Sequence, residues 1–432
     1  MNPVVVVGGG WAGLAAAAEL AAAGVPVQVL ESAPQLGGRA RSVALDGLTV
    51  DNGQHLLIGA YRETLRLMAR LGAEPELLQR DTLQLAVQRD DALLQLSAPP
   101  LPAPLHLAWA LWRAAGLRPG ERRAALRFCL RAWRQRFAIA PDISVAVLLA
   151  DQPAALVRAL WEPLCLATLN TPPAQASAQV FLRVLRDAFA RRRRDADLIH
   201  PRTDLGRLLP EPARRHIERH GGKVTVRARV RSLACTDATF GVVTRDGLQP
   251  ASHVVLATAP WHAAPLLAAH PQLAPLARQL AALGSAPITT VYLAYPPAVT
   301  LGHAMLGLST GMGLWLIDRG VLCGQHGLMA AVLSGPGPHA DLDPAQLGAR
   351  IGGEIAAHFP HWPTVQTLRV VRERRATFLC DVGVNARRPG NATALPRLWL
   401  AGDYTDTGYP ATLEGAVRSG VQCARRIINL LR

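Results

Sequence analysis

The sequence predicts an α/β protein built around a Rossmann-type dinucleotide-binding unit. Three features predict this class: the chain opens with a strand, a glycine-rich loop, a helix and a second strand; alternating apolar segments lie near its middle; and a strand ending in Gly-Asp comes late. Half of the 432 residues are apolar, so the chain can bury a core of two or three domains.

The opening segment forms a complete βαβ pattern. Residues 4–7 predict a buried strand, residues 15–23 an alanine-rich helix, and residues 25–30 a second strand. A glycine-rich loop, GGGWAG at 8–13, joins the first strand to the helix. The glycine pattern alone would be weak support. Together with both strands, the helix and a following acidic residue, it predicts dinucleotide binding.

Each residue type in this pattern has its own physical role. Gly8 allows the tight turn, Gly10 lets the backbone approach a pyrophosphate, and Gly13 lets the helix pack closely on the strand. The free N–H groups and positive dipole at the helix start would meet the phosphates. Glu31 closes the second strand, where its carboxylate can bind a ribose diol and would repel a 2′-phosphate.

A second glycine pair follows a few residues after Glu31, in the segment LGGRAR. Gly37 and Gly38 would let another loop approach the cofactor, and Arg39 could pair with its pyrophosphate. Such closure is unusual for a nicotinamide site, from which the cofactor must leave after every turnover. The segment therefore favours a retained dinucleotide.

Later segments supply further parts of the same domain. The alternation in VTVRARVRSL, residues 224–233, predicts a half-buried strand, and residues 254–258 predict another. A strand at 398–403 ends in Gly-Asp and is followed by a loop and by a helix predicted over 412–431. The chain thus returns to its cofactor near the end.

These motifs together resemble the flavin amine oxidase and phytoene desaturase superfamily, whose amino-terminal signature combines GxGxxG, a distal Glu and GGR. The segment DNGQHLLIGAY, residues 51–61, looks most like the plant-type desaturases of long isoprenoids. Within that group it looks closest to the hydroxysqualene dehydroxylases. The resemblance implies a flavoprotein with two dinucleotide-binding domains, an α+β substrate domain and a helical membrane-facing part. It also implies that FAD is the cofactor.

The resemblance assigns roles to particular residues. Asp403 would contact the ribitol, Thr412 and Leu413 would face the pyrimidine end of the flavin, and Val230 would contact adenine through its backbone. The residues implied to bind FAD are Gly8, Gly10, Ala12, Gly13, Glu31, Ser32, Gly38, Arg39, Gly53, Gln54, His55, Val230, Gly402, Asp403, Thr412 and Leu413.

The same resemblance divides the chain into three regions. A discontinuous FAD-binding domain would comprise residues 1–80, 206–265 and 385–432, a helical substrate- and membrane-facing region residues 81–205, and the substrate-domain sheet and helix residues 266–384. The elements predicted in the last region are strands at 288–295, 314–317 and 329–333 and a helix at 344–359.

Two predicted helices, over 101–115 and 122–137, combine Leu and Trp with a strongly basic face. This pattern suits a helix lying in a bilayer interface, and it equally suits an ordinary amphipathic helix that covers the substrate domain. Burying a long isoprenoid at roughly 0.8 kcal/mol per methylene group corresponds to on the order of 20 kcal/mol, so such a substrate would be collected from a membrane. We therefore expect peripheral contact with the inner face of the cell membrane.

Composition excludes several other classes of function. The net charge is +15, but Lys223 is the only lysine, and no zinc spacing, RNP-like aromatic pattern or helix-turn-helix signature accompanies the arginines, so we expect no nucleic acid binding. The six cysteines form no CxxC pair and predict no metal site, and they suit reduced thiols in the cytoplasm. The start MNPVVVVGGG leads directly into a strand, so we expect no signal peptide. No run of apolar residues is long enough to predict a spanning helix.

The leading hypothesis for the reaction is an FAD-dependent conversion of hydroxysqualene to squalene, by C–O cleavage and hydride transfer from reduced flavin. Amine oxidases of this superfamily generally place a lysine near flavin N5, whereas Lys223 lies in the adenine-side region. His55 is the first candidate for the general acid, and an orienting role for it is held equal. Tyr404 and Tyr409 could line the flavin face or simply pack.

Two alternatives remain open at this stage. A carotenoid or phytoene-type desaturase would run hydride transfer in the opposite direction, and a non-catalytic flavin-binding protein could serve an isoprenoid synthase. The partners expected under the leading hypothesis are a long-chain isoprenoid substrate, an external electron donor and squalene-synthase-like enzymes.

Overall fold

A computed structural model of the chain describes residues 2–45, 47–73, 77–90, 92–235 and 240–432. The strands in chain order are β1 (Val4–Val7), β2 (Val27–Leu30), β3 (Ser42–Leu45), β4 (Leu48–Asp51), β5 (Leu57–Ile58), β6 (Leu78–Asp81), β7 (Gln84–Gln88), β8 (Leu93–Ser97), β9 (Leu198–Pro201), β10 (Lys223–Thr225), β11 (Ser232–Cys235), β12 (Phe240–Thr244), β13 (Gly247–Pro250), β14 (His253–Leu256), β15 (Ser285–Ala294), β16 (Met305–Leu308), β17 (Leu314–Asp318), β18 (Leu328–Ser334), β19 (Gln366–Phe378) and β20 (Leu398–Leu400).

The helices in chain order are α1 (Trp11–Ala22), α2 (Arg62–Arg70), α3 (Leu105–Arg113), α4 (Pro119–Arg134), α5 (Val145–Leu148), α6 (Ala154–Leu156), α7 (Glu162–Leu169), α8 (Ala178–Leu185), α9 (Leu205–Leu208), α10 (Pro210–Arg219), α11 (Pro260–Ala268), α12 (Ala274–Ala281), α13 (Arg319–Cys323), α14 (Pro344–His358), α15 (Val384–Arg387) and α16 (Leu413–Leu431). Two π-helical turns, Val157–Trp161 and Arg186–Ala190, interrupt the helical region.

A parallel five-stranded sheet carries the dinucleotide-binding layer, in the order β10-β2-β1-β14-β20. All four residues of β1 are valines and all are fully buried or nearly so, as expected for a parallel strand that is covered on both faces. The predicted strand at 4–7 is confirmed with the same bounds, and those at 25–30, 254–258 and 398–403 are confirmed as the shorter strands β2, β14 and β20. The predicted α/β class with a Rossmann-type layer is therefore confirmed.

Helices α1 and α16 pack against each other on one face of this sheet. The contact is close because Gly420 has no side chain: a Cβ atom there would lie 2.1 Å from the carbonyl oxygen of Ala12. The amino-terminal and carboxyl-terminal helices are therefore held together by backbone approach.

The continuous strand predicted over 224–233 is wrong. The structure has two strands, β10 in the parallel sheet and β11 in an antiparallel sheet with β12 and β13. Between them Arg227 takes a left-handed conformation with φ 56°, and the backbone N–H groups of Arg227 and Ala228 donate to the carbonyl oxygens of Ala33 and Glu31. Alternation of apolar residues gives the period of a strand but not its partner, so it cannot reveal a change of sheet.

A seven-stranded mixed sheet, in the order β19-β15-β18-β17-β16-β7-β8, forms the substrate layer. The predicted strands at 288–295, 314–317 and 329–333 and the predicted helix at 344–359 are confirmed as β15, β17, β18 and α14. Strands β7 and β8 come from the region that the sequence assigned to helices, and they extend this sheet. The helical region and the substrate sheet are therefore built together.

The helical region covers the open side of the substrate layer. Its two predicted amphipathic helices are confirmed as α3, which is shorter than expected, and α4, which has the expected length but begins three residues earlier. Pro102 and Pro104 delay the start of α3 because proline fits only the first turn of a helix, and Gly116 with φ 73° separates the pair. Among the described residues, no helix is both long and apolar enough to cross a bilayer.

We expect Gly420→Ala to destabilise the protein. The added methyl group would force α1 and α16 apart, and overpacking of this kind typically costs about 1–3 kcal/mol. Urea unfolding followed by circular dichroism measures the change. Gly353→Ala in α14 is the matched control, since a Cβ atom there meets no atom within 4 Å and alanine favours a helix by about 0.5–1 kcal/mol over glycine. Equal midpoints for the two variants would contradict the close packing at Gly420.

Candidate active site and cofactor pocket

One cavity of about 1520 Å³ extends from the carboxyl ends of the parallel strands into the helical region. This volume exceeds the roughly 300–1,000 Å³ of ordinary ligand pockets, so there is room for a cofactor and a substrate together. Its position at the carboxyl ends of β1, β2 and β14 is where parallel α/β sheets bind ligands. Nearly all the residues expected to bind FAD line it; the exception is Gly13.

The glycine loops form the floor of the polar end. Gly8 has φ 109° and Gly38 has φ 62°, conformations that side chains other than glycine rarely adopt. The two loops also touch, with the N–H of Gly37 donating to the carbonyl oxygen of Gly9 at 2.9 Å. A methyl group at Gly10 would project into the cavity, with the Cα of Gly38 at 3.8 Å as its nearest protein atom. The loops thus leave a bare backbone cradle at the start of α1.

Gly13 does not line the cavity but allows close packing of α1 on the loop after β1. A Cβ atom at Gly13 would lie 2.0 Å from the carbonyl oxygen of Gly8. The sequence predicted that this glycine allows close packing of helix on strand, and the geometry agrees.

The carboxylate of Glu31 is fixed at the far end of this cradle. It accepts hydrogen bonds from the backbone N–H groups of Gly9 at 2.6 Å and Ala33 at 2.7 Å, and from the Ser32 hydroxyl at 3.2 Å. Val230 and Thr258 line the cavity beside it. The Thr258 hydroxyl is buried and has no hydrogen-bond partner among the described residues. The Glu31 carboxylate, the bare backbone of the glycine loops and the unpartnered Thr258 hydroxyl together fit the adenosine diphosphate part of FAD.

Arg39 and Asp403 form an ion pair with Nη2 and Oδ1 2.5 Å apart. Burial by itself would lower the pKa of Arg39, but the Asp403 carboxylate more than offsets this and the pKa is raised. The sequence implied separate roles for the two residues, pyrophosphate for Arg39 and ribitol for Asp403. The structure brings them together, and Arg39 also donates to the carbonyl oxygen of Ala376 at 2.9 Å.

Arg388 organises the loop after β20 and was missed by the sequence analysis. Its buried guanidinium donates to the carbonyl oxygen of Asp403 at 2.9 Å, to that of Thr405, and to the Thr407 hydroxyl at 3.2 Å. Burial lowers the pKa of Arg388. In a chain with so many arginines, no local motif distinguishes this one. Its role follows from the loop that folds around it.

The segment Gly53–His55 is held by the substrate layer. The Gln54 amide donates to the Tyr292 hydroxyl at 2.8 Å, and that hydroxyl donates to the carbonyl oxygen of Asp51 at 2.6 Å. Arg319 donates to Oε1 of Gln54 at 3.0 Å. Tyr292 and Arg319 come from β15 and α13, far along the chain, so sequence spacing could not have linked them to this segment.

His55 lines the cavity, and its surroundings disfavour the protonated, charged form of its ring. Its Nδ1 lies 2.9 Å from the carbonyl oxygen of Gly53. Because a carbonyl can only accept, Nδ1 carries the hydrogen. Burial lowers the pKa of His55, so the ring is neutral at pH 7 and its Nε2 is an acceptor. This state favours an orienting role for His55 over that of proton donor.

Asp51 is the cavity-lining carboxyl group whose affinity for a proton is increased. Burial raises the pKa of Asp51 from 3.8 to about 6, against the opposing effects of the Leu205 N–H at 2.9 Å and of Arg319, whose Nη1 lies 4.0 Å away. Asp204 nearby adds to the increase. Near neutral pH this side chain is therefore partly protonated, which the sequence analysis did not anticipate.

The two tyrosines named by the sequence lie in different environments. Tyr409 lines the cavity, its hydroxyl bonds to the buried carboxylate of Asp187, and the Arg418 guanidinium lies 4.4 Å from its ring centre. Tyr404 is fully buried outside the cavity lining, and its ring carbons lie so close to Gly402 that a Cβ atom there would be 2.4 Å away. Of the two tyrosines, therefore, only Tyr409 lies where its ring could face a flavin.

The start of α16 closes the polar end of the cavity. Thr412 caps the helix by accepting from the N–H of Gly415 at 3.1 Å, and Leu413 lines the cavity beside it. The positive end of this helix dipole would stabilise negative charge by roughly 0.3–2 kcal/mol. Glu414 is fully buried and accepts from the N–H and hydroxyl of Thr64, which ties α16 to α2.

The other end of the cavity is apolar. It is enclosed by β7, β8, α3, α4, α7 and the π-helical turns, and its lining includes Leu83, Leu85, Leu96, Leu111, Leu126, Phe128, Leu160, Trp161, Leu164, Phe189, Trp315 and Val332. Three further lining residues are exposed large apolar side chains: Leu105, Leu130 and Trp133. The apolar end therefore reaches the surface between α3 and α4.

Comparisons with known proteins agree with this geometry. The family model described as flavin containing amine oxidoreductase matches residues 11–428. A hydroxysqualene dehydroxylase from Rhodopseudomonas palustris is 32% identical, covering 98% of this chain and 97% of that protein. Another from Sinorhizobium fredii is 29% identical, covering 97% and 96%. The zeta-carotene desaturase of Capsicum annuum is 25% identical, covering 99% and 81%.

Among solved structures, cyclohexylamine oxidase from Brevibacterium oxydans superimposes with a TM-score of 0.70 at 17% identity, covering 100% of this chain and 99% of that one. This likeness shows a common fold. It extends over the cofactor layer and the substrate layer alike.

We expect Asp51→Asn to stabilise the protein near neutral pH and to lose this advantage in acid. The folded pKa of Asp51, about 6, lies above its ordinary value of 3.8, so its contribution to stability is fully present below pH 3.8 and is lost as the pH rises through 6. The difference corresponds to roughly 3 kcal/mol. Urea unfolding measured between pH 4 and 8 tests this.

The control for that experiment is Asp246→Asn, because Asp246 is exposed in the turn between β12 and β13. We expect its stability to follow the parent protein at every pH. A constant difference between Asp51→Asn and the parent across the range would contradict a raised pKa at Asp51.

Proposed function

Because this chain belongs to the flavin containing amine oxidoreductase family and is an FAD-dependent oxidoreductase, we propose that it converts hydroxysqualene to squalene. The relatives named hydroxysqualene dehydroxylase match it over nearly their full length, and at higher identity than the zeta-carotene desaturase does. This ranking supports dehydroxylation over the alternative of carotenoid desaturation.

The observation that carries the proposal is the continuity of the cavity. The glycine cradle, Arg39 and Asp403 line one end, and leucine, phenylalanine and tryptophan side chains line the other. A long, uncharged isoprenoid could lie in the apolar end with one carbon at the flavin end. An amine substrate would find mostly apolar surface there.

The reaction replaces a hydroxyl group by hydrogen. The C–O bond breaks, the hydroxide takes up a proton and leaves as water, and a hydride is added to the carbon. Bound FAD, when reduced, supplies that hydride, and the two electrons come from an external donor. The protein has to orient the carbon, exclude water and provide the proton.

Two described residues that line the cavity are assigned to the proton step. Asp51 holds a proton over part of the neutral range, because burial raises its pKa to about 6. His55 presents an unprotonated Nε2, so it suits holding the departing water or the hydroxyl group in place. Tyr409, fixed by Asp187, provides an aromatic wall that can stabilise developing positive charge. We propose these roles in place of the general acid role that the sequence suggested for His55.

The first test of this function is direct conversion. Full-length protein carrying FAD, reduced without oxygen and given hydroxysqualene in detergent, is expected to form squalene as measured by gas chromatography with mass spectrometry. Ala167→Trp should reduce the yield strongly at unchanged FAD content, because Ala167 lines the apolar end of the cavity and is exposed to it.

Ala150→Trp is the matched control, since Ala150 is exposed outside the cavity lining. It should convert hydroxysqualene like the parent protein. The oxidised protein with phytoene and a quinone tests the alternative. Desaturation of phytoene together with no squalene from hydroxysqualene would overturn the proposal.

We propose further that the α3–α4 surface contacts the membrane from which the substrate is collected. Trp109, Trp112 and Trp133 are 51%, 54% and 55% exposed, and such a cluster of exposed tryptophans marks an interaction surface in a protein. The surface lies at the opening of the apolar end of the cavity. The exposed arginines around it include Arg113, Arg123, Arg127, Arg134 and Arg136, and exposed tryptophans beside exposed arginines suit an anionic bilayer interface.

The double variant Trp109→Gln and Trp112→Gln should lose vesicle binding. Neither tryptophan lines the cavity, so conversion of substrate delivered in detergent should persist. Flotation with vesicles that contain an anionic lipid measures the binding. Leu248→Gln with Val382→Gln is the control, because these exposed apolar residues lie elsewhere. Full recovery of the parent protein in the unbound fraction would contradict this surface.

A further inference from the structure

The longest strand of the substrate sheet contains a bulge beside the cofactor pocket. Ile288 of β15 pairs with Glu373 of β19, and Ala286 pairs with Thr377. The three residues 374–376 therefore stand opposite Pro287 alone. Proline has no N–H to donate to a partner strand, which explains why the ladder is interrupted at this point. Bulges of this kind redirect side chains and are common next to active sites.

The bulge turns three consecutive residues toward the cavity. Arg374, Arg375 and Ala376 line it together with the flanking Glu373 and Thr377, whereas neighbours along a regular strand would alternate between two faces. The carbonyl oxygen of Ala376 accepts the hydrogen bond from Arg39. Through that bond the substrate sheet is attached to the loop that carries the GGR motif.

Trp261 links the same two parts through its indole ring. The guanidinium carbon of Arg39 lies 5.5 Å from the ring centre and that of Arg375 lies 5.4 Å from it. Trp261 is in the first turn of α11, directly after β14 of the parallel sheet. A guanidinium over an indole is held in place by cation–π attraction, so Trp261 positions Arg375 beside Arg39 at the rim of the pocket.

The charges around this rim do not balance among the protein's own residues. Arg39 is paired with Asp403 and Arg41 with Glu373. Arg375 and its neighbour Arg374 have no carboxylate partner among the described residues, and both line the cavity and are exposed. Arg229 lines the same rim and also lacks such a partner there. Unpaired arginines that converge on a pocket are suited to bind phosphate groups.

We propose that Arg375 binds the pyrophosphate of FAD, so that the bulge of the substrate sheet is part of the cofactor site. Arg39 is paired with Asp403, and the glycine loops and the start of α1 offer backbone N–H groups and a helix dipole but no charged side chain. Arg375 then supplies the positive charge that the doubly negative pyrophosphate requires. None of the glycine motifs includes Arg375, and it belongs to the other layer of the fold.

Retention of FAD by the full-length holoprotein tests this assignment. Arg375→Gln should bind FAD at least about tenfold more weakly, as measured by the flavin fluorescence released on dilution, because a charge-assisted hydrogen bond is lost. Added salt should weaken FAD binding less in this variant than in the parent, since one screened charge contact is missing. Arg375→Lys, which keeps the charge, should recover part of the affinity.

Arg245→Gln is the matched control, because it removes one exposed arginine from the turn between β12 and β13. It should retain FAD like the parent protein. Equal FAD affinity in Arg375→Gln and the parent would overturn the proposal. The proposal would also be overturned if Arg375→Gln bound FAD normally but was reduced more slowly by a nicotinamide dinucleotide. Arg375 would then be a binding residue for the electron donor. These readouts need no turnover, so they stand apart from the test with hydroxysqualene.

Discussion

The ion pair between Arg39 and Asp403 is the contact on which the cofactor pocket depends. It joins two segments that are 364 residues apart, the loop after β2 and the end of β20. The substrate layer is inserted between these segments, so closing the cofactor layer also places the substrate sheet over the pocket. A hydrogen bond from Arg39 to the carbonyl oxygen of Ala376 connects the loop of the cofactor layer directly to the substrate sheet. One arginine therefore contacts both layers.

A single cavity follows from that arrangement. Its polar end carries backbone N–H groups, the carboxyl groups of Glu31, Asp51 and Asp403 and several arginines, and its apolar end is enclosed by β7, β8 and the helices of the helical region. A hydrocarbon in the apolar end can meet the cofactor without passing through water, which strengthens electrostatic interactions at the reacting carbon. The exposed tryptophans at the opening suit a substrate delivered from lipid.

Burial, more than residue type, sets the proton chemistry of this cavity. The pKa of an aspartate is ordinarily well below that of a histidine. Here burial raises the pKa of Asp51 to about 6 and lowers that of His55. Burial thus shifts the two pKa values in opposite directions, and a carboxyl group kept protonated by an apolar site can act as a donor near neutral pH. Residue type alone made His55 the first candidate for the acid with an orienting role held equal, and its burial in the structure favours the orienting role.

The sequence by itself predicted the Rossmann layer, its glycine cradle and the places of Glu31, Arg39 and Asp403 at the cavity, because backbone freedom and local spacing are recorded in short motifs. The pairing of Arg39 with Asp403 was visible only in the structure. The sequence also located α3, α4 and three of the seven strands of the substrate sheet, β15, β17 and β18, through their periodicity. Only the tertiary structure decided that 224–233 changes sheets, that Tyr404 lies outside the cavity, and that Arg388, Tyr292, Arg319 and Arg375 support the site. Those roles arise where distant segments meet, and a partner hundreds of residues away leaves no periodic signal in the chain.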